Sequence, residues 1–232
     1  TLAGTADGIL FALFKKFAGR SMQELSDAQL LRVGRYLGRI HNVGAASGAP
    51  HRLQLTAERY GTQSLKTLLD TGAIDIQMQG RYERAATAII DLVSPLLAAV
   101  PVQRLHGDCH LGNILWRQDE PMFLDFDDML SGPAVQDVWM VVRGRDDEAR
   151  RQREVMLSGY EQMRRFDATT LRLIEPLRAL RMMHYSAWIA RRYADPIFVR
   201  MFPEFTSYRY WADETVALEE QLQEVKQALS AS

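Results

Sequence analysis

The stretch RLHGDCHLGNILW, residues 104–116, decides the fold of this 232-residue chain together with FLDFDD, residues 123–128. Among their side chains with oxygen ligands are Asp108, Asn113 and Asp125. Mg²⁺ prefers oxygen ligands and usually takes only one or two of them from the protein. The stretches therefore contain a pair of metal ligands together with a further carboxylate that can accept a proton.

Short apolar runs separate these polar residues. The runs at 102–105, 114–116 and 122–124 read as β-strands, and residues 117–121 read as the turn between the last two. In that arrangement the polar loop lies between the first and second strands, and the acidic residues follow the third. We expect Asp108, Asn113 and Asp125 to converge on one ion.

The spacing resembles the one with which protein kinases place a catalytic base and two magnesium ligands. Phosphoryl transfer from ATP needs a carboxylate that faces the attacking hydroxyl, and Asp108 fits that role. It also needs Mg²⁺ to neutralise the phosphate oxygens, and Asn113 and Asp125 are suited to hold it.

Flanking residues narrow the resemblance to one family. HGDxHxxN and DxD are the loop and metal motifs of the aminoglycoside phosphotransferase and choline kinase group. GPAVQDVWM at 132–140 and IEPLRALRMMHYSAWIARRYADP at 174–196 resemble the bacterial stress response kinase A subgroup of that group, which is reported as serine/threonine protein kinases. This similarity extends over most of the chain.

The resemblance implies a role for each matching residue. Asp108 is implied as the proton acceptor, Asn113 as a metal ligand, and Asp125 as both a metal ligand and the second catalytic carboxylate. Asp127 is implied to assist. Asp137 matches an aspartate that braces the catalytic loop and has no chemical role of its own.

The implied fold is an α+β, protein kinase-like fold with a mainly helical C-terminal lobe and a small catalytic β-hairpin. Residues 1–20 are expected to be the last N-lobe strand (9–14) and the hinge (15–20), with Phe14 stacking near adenine as a nucleotide-binding residue. Residues 21–232 are expected to form the C-terminal lobe, with the catalytic loop at 104–116 and the metal motif at 122–128. Most of the N-terminal lobe is then missing, and the chain is expected to be an inactive C-terminal part that begins at Thr1.

A competing interpretation gives Lys15 the role of the kinase strand lysine. Ala12-Leu13-Phe14-Lys15 resembles the V-A-I-K motif, and Glu24 is a conceivable partner for the lysine. Further strands should then precede the catalytic loop, yet only 74–78 offers a weak one. The match is better explained as a short-motif coincidence.

Composition agrees with an enzyme domain. A net charge of -1 argues against a general nucleic-acid binder, because affinity for phosphate backbones accumulates from Lys and Arg. The sequence shows no apolar run of about 20 residues and no secretion signal, so we expect a cytoplasmic monomer that does not bind membranes. The single cysteine, Cys109, is better explained as a small residue that fills a tight loop than as a redox-sensing thiol.

The remaining chain is predicted to be helical. Ser26 and Gln29 form a capping box ahead of a helix that ends before Gly44. Another helix is predicted to begin near residue 169, with Asp167 as its cap and Pro176 as a kink. Further helices are predicted at 81–100, 134–142, 148–165, 177–193 and 214–229.

Two alternatives concern residues near the predicted site. His106, Asp108 and His110 alternate like a metal-hydrolase cluster, but no further ligand pair accompanies them, so His106 is better explained as bracing the loop. Arg178, Arg181, Arg191 and Arg192 are explained better by a solvated helix face than by an acceptor-recruiting surface, and His184, Tyr185 and Trp188 by a packed face.

The function expected from the sequence is an ATP- and Mg²⁺-dependent serine/threonine protein kinase. Two alternatives remain: a small-molecule kinase that acts on an aminoglycoside, choline or sugar hydroxyl, and a non-catalytic binding lobe. The first uses the same three residues, so the motif cannot separate it from a protein kinase.

Overall fold

The computed structural model describes residues 2–230, with the side chain of Leu2 excepted. Helices form most of the body. Their bounds are α1 (Asp27–Ala46), α2 (Gln63–Asp70), α3 (Ile76–Ala98), α4 (Val135–Val141), α5 (Asp147–Glu161), α6 (Ile174–Arg192), α7 (Pro196–Met201) and α8 (Tyr208–Ser230).

The strands of the described residues form three small antiparallel sheets. Their bounds are β1 (Leu2–Ala6), β2 (Ile9–Leu13), β3 (Arg20–Ser21), β4 (Gln103–Leu105), β5 (Ile114–Arg117), β6 (Glu120–Phe123) and β7 (Leu130–Gly132). β1 pairs with β2, β3 and β6 flank β5, and β4 pairs with β7. This combination of a helical body with short β-hairpins confirms the α+β class.

The predicted catalytic hairpin is present, with two corrections. β5 and β6 pair with Ile114 opposite Phe123. The turn is shorter than the predicted 117–121, because Arg117 belongs to β5 and Glu120 and Pro121 belong to β6. The strand before the loop pairs with β7, in which Leu130 lies opposite Leu105. β7 was not predicted because Leu130-Ser131-Gly132 has no apolar alternation.

Helix α1 begins where the sequence predicts. The Ser26 hydroxyl accepts a hydrogen bond from the Gln29 backbone, and the Gln29 side chain accepts one from the Ser26 N–H. The predicted end before Gly44 is wrong, because the helix continues to Ala46. A Cβ at Gly44 would lie 2.1 Å from the Arg104 carbonyl oxygen, so this glycine permits close packing instead of ending the helix.

Close packing of α1 against α5 also depends on glycine. A Cβ at Gly34 would lie 1.9 Å from the Met156 carbonyl oxygen, and one at Gly159 would lie 2.0 Å from that of Leu31. Backbone atoms cannot move aside as a flexible side chain can. The two helices therefore approach at a distance that only glycine allows, which fixes α1 next to the catalytic loop.

Replacing Gly34 with Ala is expected to destabilise the protein. The better helix propensity of Ala contributes about 1 kcal/mol, but overpacking against a backbone typically costs about 1–3 kcal/mol, and separating the helices adds to that. Urea unfolding should show a lower midpoint. Gly48→Ala is the control, since a Cβ there meets nothing within 4 Å; equal midpoints for the two variants would contradict this packing.

Helix α3 corrects the weak strand predicted at 74–78. It begins at Ile76 with Asp75 as its cap, so the predicted start at Arg81 is one turn too late. Asp75 accepts a hydrogen bond from the Gln77 N–H. Apolar and polar residues alternate at Ile76-Gln77-Met78 as they do in a strand, so the first turn of the helix was not predicted.

The later helices follow the prediction more closely. Asp167 caps a 3₁₀ turn, Ala168–Leu173, which leads directly into α6. Pro176 lies in the first turn of α6, where its missing N–H has no helical partner to lose, so no kink is needed. The helix predicted at 148–165 is shorter than expected, because α5 ends at Glu161 and leaves Met163 beyond its end and exposed.

The first strands are the most exposed part of the fold. All five side chains of β2 are exposed, and β2 pairs with β1 alone. The division into 1–20 and 21–232 stays a prediction. Within residues 2–230, no helix combines the length and apolar character needed to cross a membrane.

Candidate active site

The loop between β4 and β5 passes tightly against the segment that follows β6. Gly107 has a φ of +90°, and a Cβ there would lie 2.3 Å from the Asp128 carbonyl oxygen. Both the backbone conformation and the space require glycine. This close approach brings the HGD sequence to the acidic residues 125–128.

The Asp137 side chain also fixes the loop between β4 and β5. Its carboxylate accepts hydrogen bonds of 2.9 Å from the backbone N–H groups of both His106 and Gly107. A third contact of 2.9 Å joins it to Nε2 of His41, whose Nδ1 lies 2.9 Å from the Tyr160 hydroxyl. The structure thus shows the bracing role predicted for Asp137. His41, which had no assigned role in the sequence, extends the brace to α1.

Asp108 and Asn113 lie in direct contact. The Asn113 side-chain N–H donates to the Asp108 backbone carbonyl at 3.0 Å. Because the amide nitrogen is used in this bond, its oxygen is the atom left to bind a metal ion. The Asp108 carboxylate is 18% exposed and contacts Nη2 of Arg181 at 2.7 Å and Nε2 of His110 at 3.4 Å.

Asp125 is brought alongside Asn113 by the β5–β6 hairpin. The Leu124 N–H donates to the Asn113 carbonyl at 2.9 Å, so Asp125 is the next residue along. Asp125 itself has a left-handed backbone, with φ 60° and ψ 62°, which turns the chain out of the strand. Such a conformation is uncommon for a residue other than glycine and is enriched at functional sites.

The acidic residues of the site are close enough to repel one another electrostatically. Burial raises the pKa of the Asp128 carboxyl, and the charges of Asp108 and Asp125 raise it further. Both carboxylates therefore act on the same neighbour. Within the described residues the Asp128 side chain has no hydrogen bond or ion pair of its own, so it is free to meet a ligand.

His106 turns away from the position that a metal cluster would need. Its Nε2 lies 2.7 Å from the Leu124 carbonyl oxygen, and its ring packs 4.5 Å from that of Phe126. In residues 2–230 no group of three or more His, Cys, Asp or Glu side chains is arranged to hold a metal ion. The zinc-like alternative has no support, and the loop-bracing interpretation of His106 agrees with these contacts.

Asn113 and Asp125 form a pair of ligands that suits Mg²⁺ bound together with a nucleotide. A metal ion held by protein side chains alone would need more ligands. Mg²⁺ at a nucleotide site takes one or two side-chain oxygens and completes its shell with phosphate oxygens and water. An amide oxygen and a carboxylate provide this set. The donor chemistry therefore suits a metal that arrives with a nucleotide.

A pocket of about 490 Å³ opens beside Asp108. The catalytic loop forms one wall, and one face of α6 forms another. The α6 residues that line it are Leu177, Leu180, Arg181, His184, Tyr185 and Trp188. The size lies within the range of small-ligand pockets.

The prediction that the arginines of α6 form a solvated helix face is wrong for Arg181. Its guanidinium contacts Asp108, whereas Arg178 pairs with Glu175 at 3.1 Å and packs over Trp139 at 5.0 Å. Arg191 and the other arginines of the set do not line the pocket. The helical spacing of charges alone could not identify the one that points at the site.

An aromatic pair forms another part of the pocket wall. The rings of Tyr60 and His184 stack at 4.0 Å. Burial and the nearby arginines lower the pKa of His184 to about 4, so this imidazole is neutral at pH 7. Tyr60 lies in a single π-helical turn, Glu58–Thr62, a feature that often occurs at functional sites and that no sequence signal indicated.

Phe14 lies elsewhere. Phe14 is the first residue after β2, and its side chain is 74% exposed. It does not line the pocket next to Asp108. Its contact with adenine stays a prediction. Asp127 does line the pocket, and its backbone carbonyl accepts a hydrogen bond of 2.7 Å from Arg52.

Cys109 is fully buried beneath the loop. Burial, together with the charges of Asp137 and Asp108, raises the pKa of its thiol well above the usual value. A buried thiol that stays protonated is a poor nucleophile. The structure supports the small buried residue over the redox sensor.

Comparison with known proteins agrees with this geometry. The model of the family described as "Phosphotransferase enzyme family" matches residues 1–174. The chain belongs to the phosphotransferase enzyme family. Two relatives are similar over most of the chain: stress response kinase A of Escherichia coli strain K12 is 41% identical, and serine/threonine protein kinase RdoA of Salmonella typhimurium is 37% identical. Each match covers 92% of this chain and 65% of the relative, so the chain spans somewhat less than two thirds of their length.

A solved structure shows the same fold. Amicoumacin kinase hAmiN, solved with AMP-PNP, Ca²⁺ and Ami, superposes with a TM-score of 0.64 at 18% identity, over 89% of this chain and 64% of that protein. The similarity shows that this member of the phosphotransferase enzyme family has the protein kinase-like fold predicted from its sequence.

Proposed function

We propose that the chain carries the catalytic base and metal ligands of an ATP- and Mg²⁺-dependent phosphotransferase, and that its acceptor is a serine or threonine hydroxyl of a protein. The observation that carries this proposal is that Asn113 and Asp125 lie at the same end of the β5–β6 hairpin, and that the Asn113 side chain is hydrogen-bonded to the Asp108 backbone. The name of the Salmonella typhimurium relative, serine/threonine protein kinase RdoA, supports the protein acceptor. A cytoplasmic location is part of the same proposal.

The three residues divide the work of the transfer. The acceptor oxygen forms a bond to the γ-phosphorus while its proton passes to the Asp108 carboxylate. The bond between the γ-phosphorus and the bridging oxygen breaks, and ADP leaves with that electron pair. Asn113 and Asp125 would hold Mg²⁺, which neutralises charge on the phosphate oxygens when it is bound.

Two features of the pocket favour a small-molecule acceptor as the second candidate. The pocket is concave and about 490 Å³ in volume, and Asp128 presents an unpaired carboxylate to it. A compact hydroxyl compound with a cationic group would fit this space. The chemistry at Asp108 would be the same.

Transfer of labelled γ-phosphate from ATP distinguishes the two acceptors. The full-length protein would be incubated with labelled ATP and Mg²⁺, once with dephosphorylated protein extract from its own organism and once with a panel of amino alcohols, sugars and aminoglycosides. We expect the labelled phosphate on serine or threonine residues of a protein. Label on a small compound alone would support the second candidate, and no transfer to either would contradict both.

Asp125→Asn is expected to weaken the binding of Mg²⁺-ATP by at least about tenfold, the order of effect seen when the surroundings of a metal site are altered. The substitution removes the negative charge that attracts the cation but keeps the size of the side chain. Titration calorimetry of AMP-PNP with Mg²⁺ would measure it. Asp119→Asn, at the exposed turn between β5 and β6, is the control, and equal affinity in both variants would exclude Asp125 as a ligand.

A further inference from the structure

Arg181 is the one α6 residue that reaches the predicted base. Its Nη2 donates to Oδ1 of Asp108 at 2.7 Å, and the two side chains are 34% and 18% exposed. Among the arginines and lysines of residues 2–230, only Arg181 forms an ion pair with this carboxylate. A partly buried, charge-assisted hydrogen bond of this length restrains both groups.

The backbone of Asp108 is already fixed, whereas its side chain is not. Asp137 holds the two preceding N–H groups, and Asn113 donates to the Asp108 carbonyl. None of these contacts restricts rotation of the carboxylate. The His110 ring, at 3.4 Å from Oδ2, is too distant for a strong hydrogen bond. The contact with Arg181 is therefore what sets the direction of the carboxylate.

We propose that Arg181 is a positioning residue for phosphoryl transfer: it holds one carboxylate oxygen of Asp108 and leaves the other directed at the acceptor hydroxyl. The inference rests on the proposed function, in which Asp108 is the base. It follows the general arrangement in which a catalytic base is oriented by a third group. Arg181 acts through Asp108 and needs no contact with the acceptor.

The position of Arg181 on α6 suits this role. Its neighbours Leu177 and Leu180 are buried and line the same pocket, so the helix is firmly seated at this point. Burial and the positive charge of Arg181 lower the pKa of the nearby Arg143. A cation kept close to another cation has an electrostatic cost, which the pairing with Asp108 offsets.

A double-mutant cycle tests the inference in the full-length protein. The variants are Arg181→Gln, Arg181→Lys, Asp108→Asn and the combination of Asp108→Asn with Arg181→Gln. The readouts are kcat and KM for Mg²⁺-dependent ATP hydrolysis, in which water replaces the acceptor, and for transfer to dephosphorylated casein. Arg178→Gln is the matched control, because Arg178 is ion-paired on the same helix but does not contact Asp108.

Misplacing a base by about 1 Å costs on the order of 10²-fold, so Arg181→Gln is expected to lower kcat by about that factor with little change in KM. Arg181→Lys should recover part of the loss. In the Asp108→Asn background the same change should have almost no effect, because the group that it positions is gone. A residue with a merely structural role would lower kcat by the same factor in both backgrounds.

The outcomes separate the inference from the proposed function. An unchanged kcat in Arg181→Gln, a rise in KM alone, or equal losses in both backgrounds would overturn the positioning role and leave Asp108 as the base. Full turnover in Asp108→Asn, or no turnover in the unaltered protein, would contradict the proposed function itself. If Arg181→Gln fails to fold by circular dichroism, Arg181→Lys and Arg181→Met complete the same cycle.

Discussion

Asp108→Asn is expected to lower kcat by about 10²- to 10⁴-fold, the range attributed to general acid–base groups. The amide keeps the size of the side chain and can still meet the acceptor hydroxyl, but it cannot take up the proton. Affinity for Mg²⁺-nucleotide should change little, because Asn113 and Asp125 are the proposed metal ligands. Steady-state kinetics together with calorimetric titration of AMP-PNP would measure the two effects separately.

Asp119→Asn is the matched control for this result. It is the same chemical change at an exposed turn, and it should leave both kcat and affinity unaltered. Retention of full turnover by Asp108→Asn would remove the assigned role. A parallel loss of nucleotide affinity would mean that Asp108 binds the metal instead.

Asp137→Ala is expected to destabilise the protein by several kcal/mol, because each buried hydrogen-bonding group left without its partner costs about 1–3 kcal/mol. His41 and the N–H groups of His106 and Gly107 would lose their common acceptor, and each unsatisfied buried group carries its own desolvation cost. Activity should fall as well, because the loop that carries Asp108 loses its brace. Urea unfolding monitored by tryptophan fluorescence would measure the change in free energy.

A half-buried aspartate that caps a helix provides the comparison. Asp75→Asn at the start of α3 should be nearly neutral, since Asn caps a helix as well as Asp does. If Asp137→Ala were as stable as this control, the carboxylate would not be the brace that its hydrogen bonds indicate.

Much of the site could be predicted because it is local in the sequence. Asp108 and Asn113 share one loop, and Asp125 follows the adjacent hairpin, so short-range pairing is enough to bring them together. The start of α1 was equally accessible, because a capping box needs only Ser26 and Gln29. Features that depend on a few neighbouring residues leave a clear pattern.

The parts that were missed depend on tertiary contacts. Arg181 lies 73 residues from Asp108, and on a helix with several arginines nothing in the spacing marks the one that faces the loop. His41 lies on a buried face of α1, where its contact with Asp137 depends on how two helices pack. Gly44 reads as a helix end, although its true role is to allow a close backbone approach. Each of these needed the folded chain.

The most direct test of the account is a crystal structure of the full-length protein with Mg²⁺ and AMP-PNP. We expect a metal ion bound by the side-chain oxygens of Asn113 and Asp125 at about 2.0–2.1 Å, the distance typical of Mg²⁺, with the γ-phosphate facing Asp108. A nucleotide whose metal contacts neither Asn113 nor Asp125, or whose γ-phosphate lies away from Asp108, would contradict it.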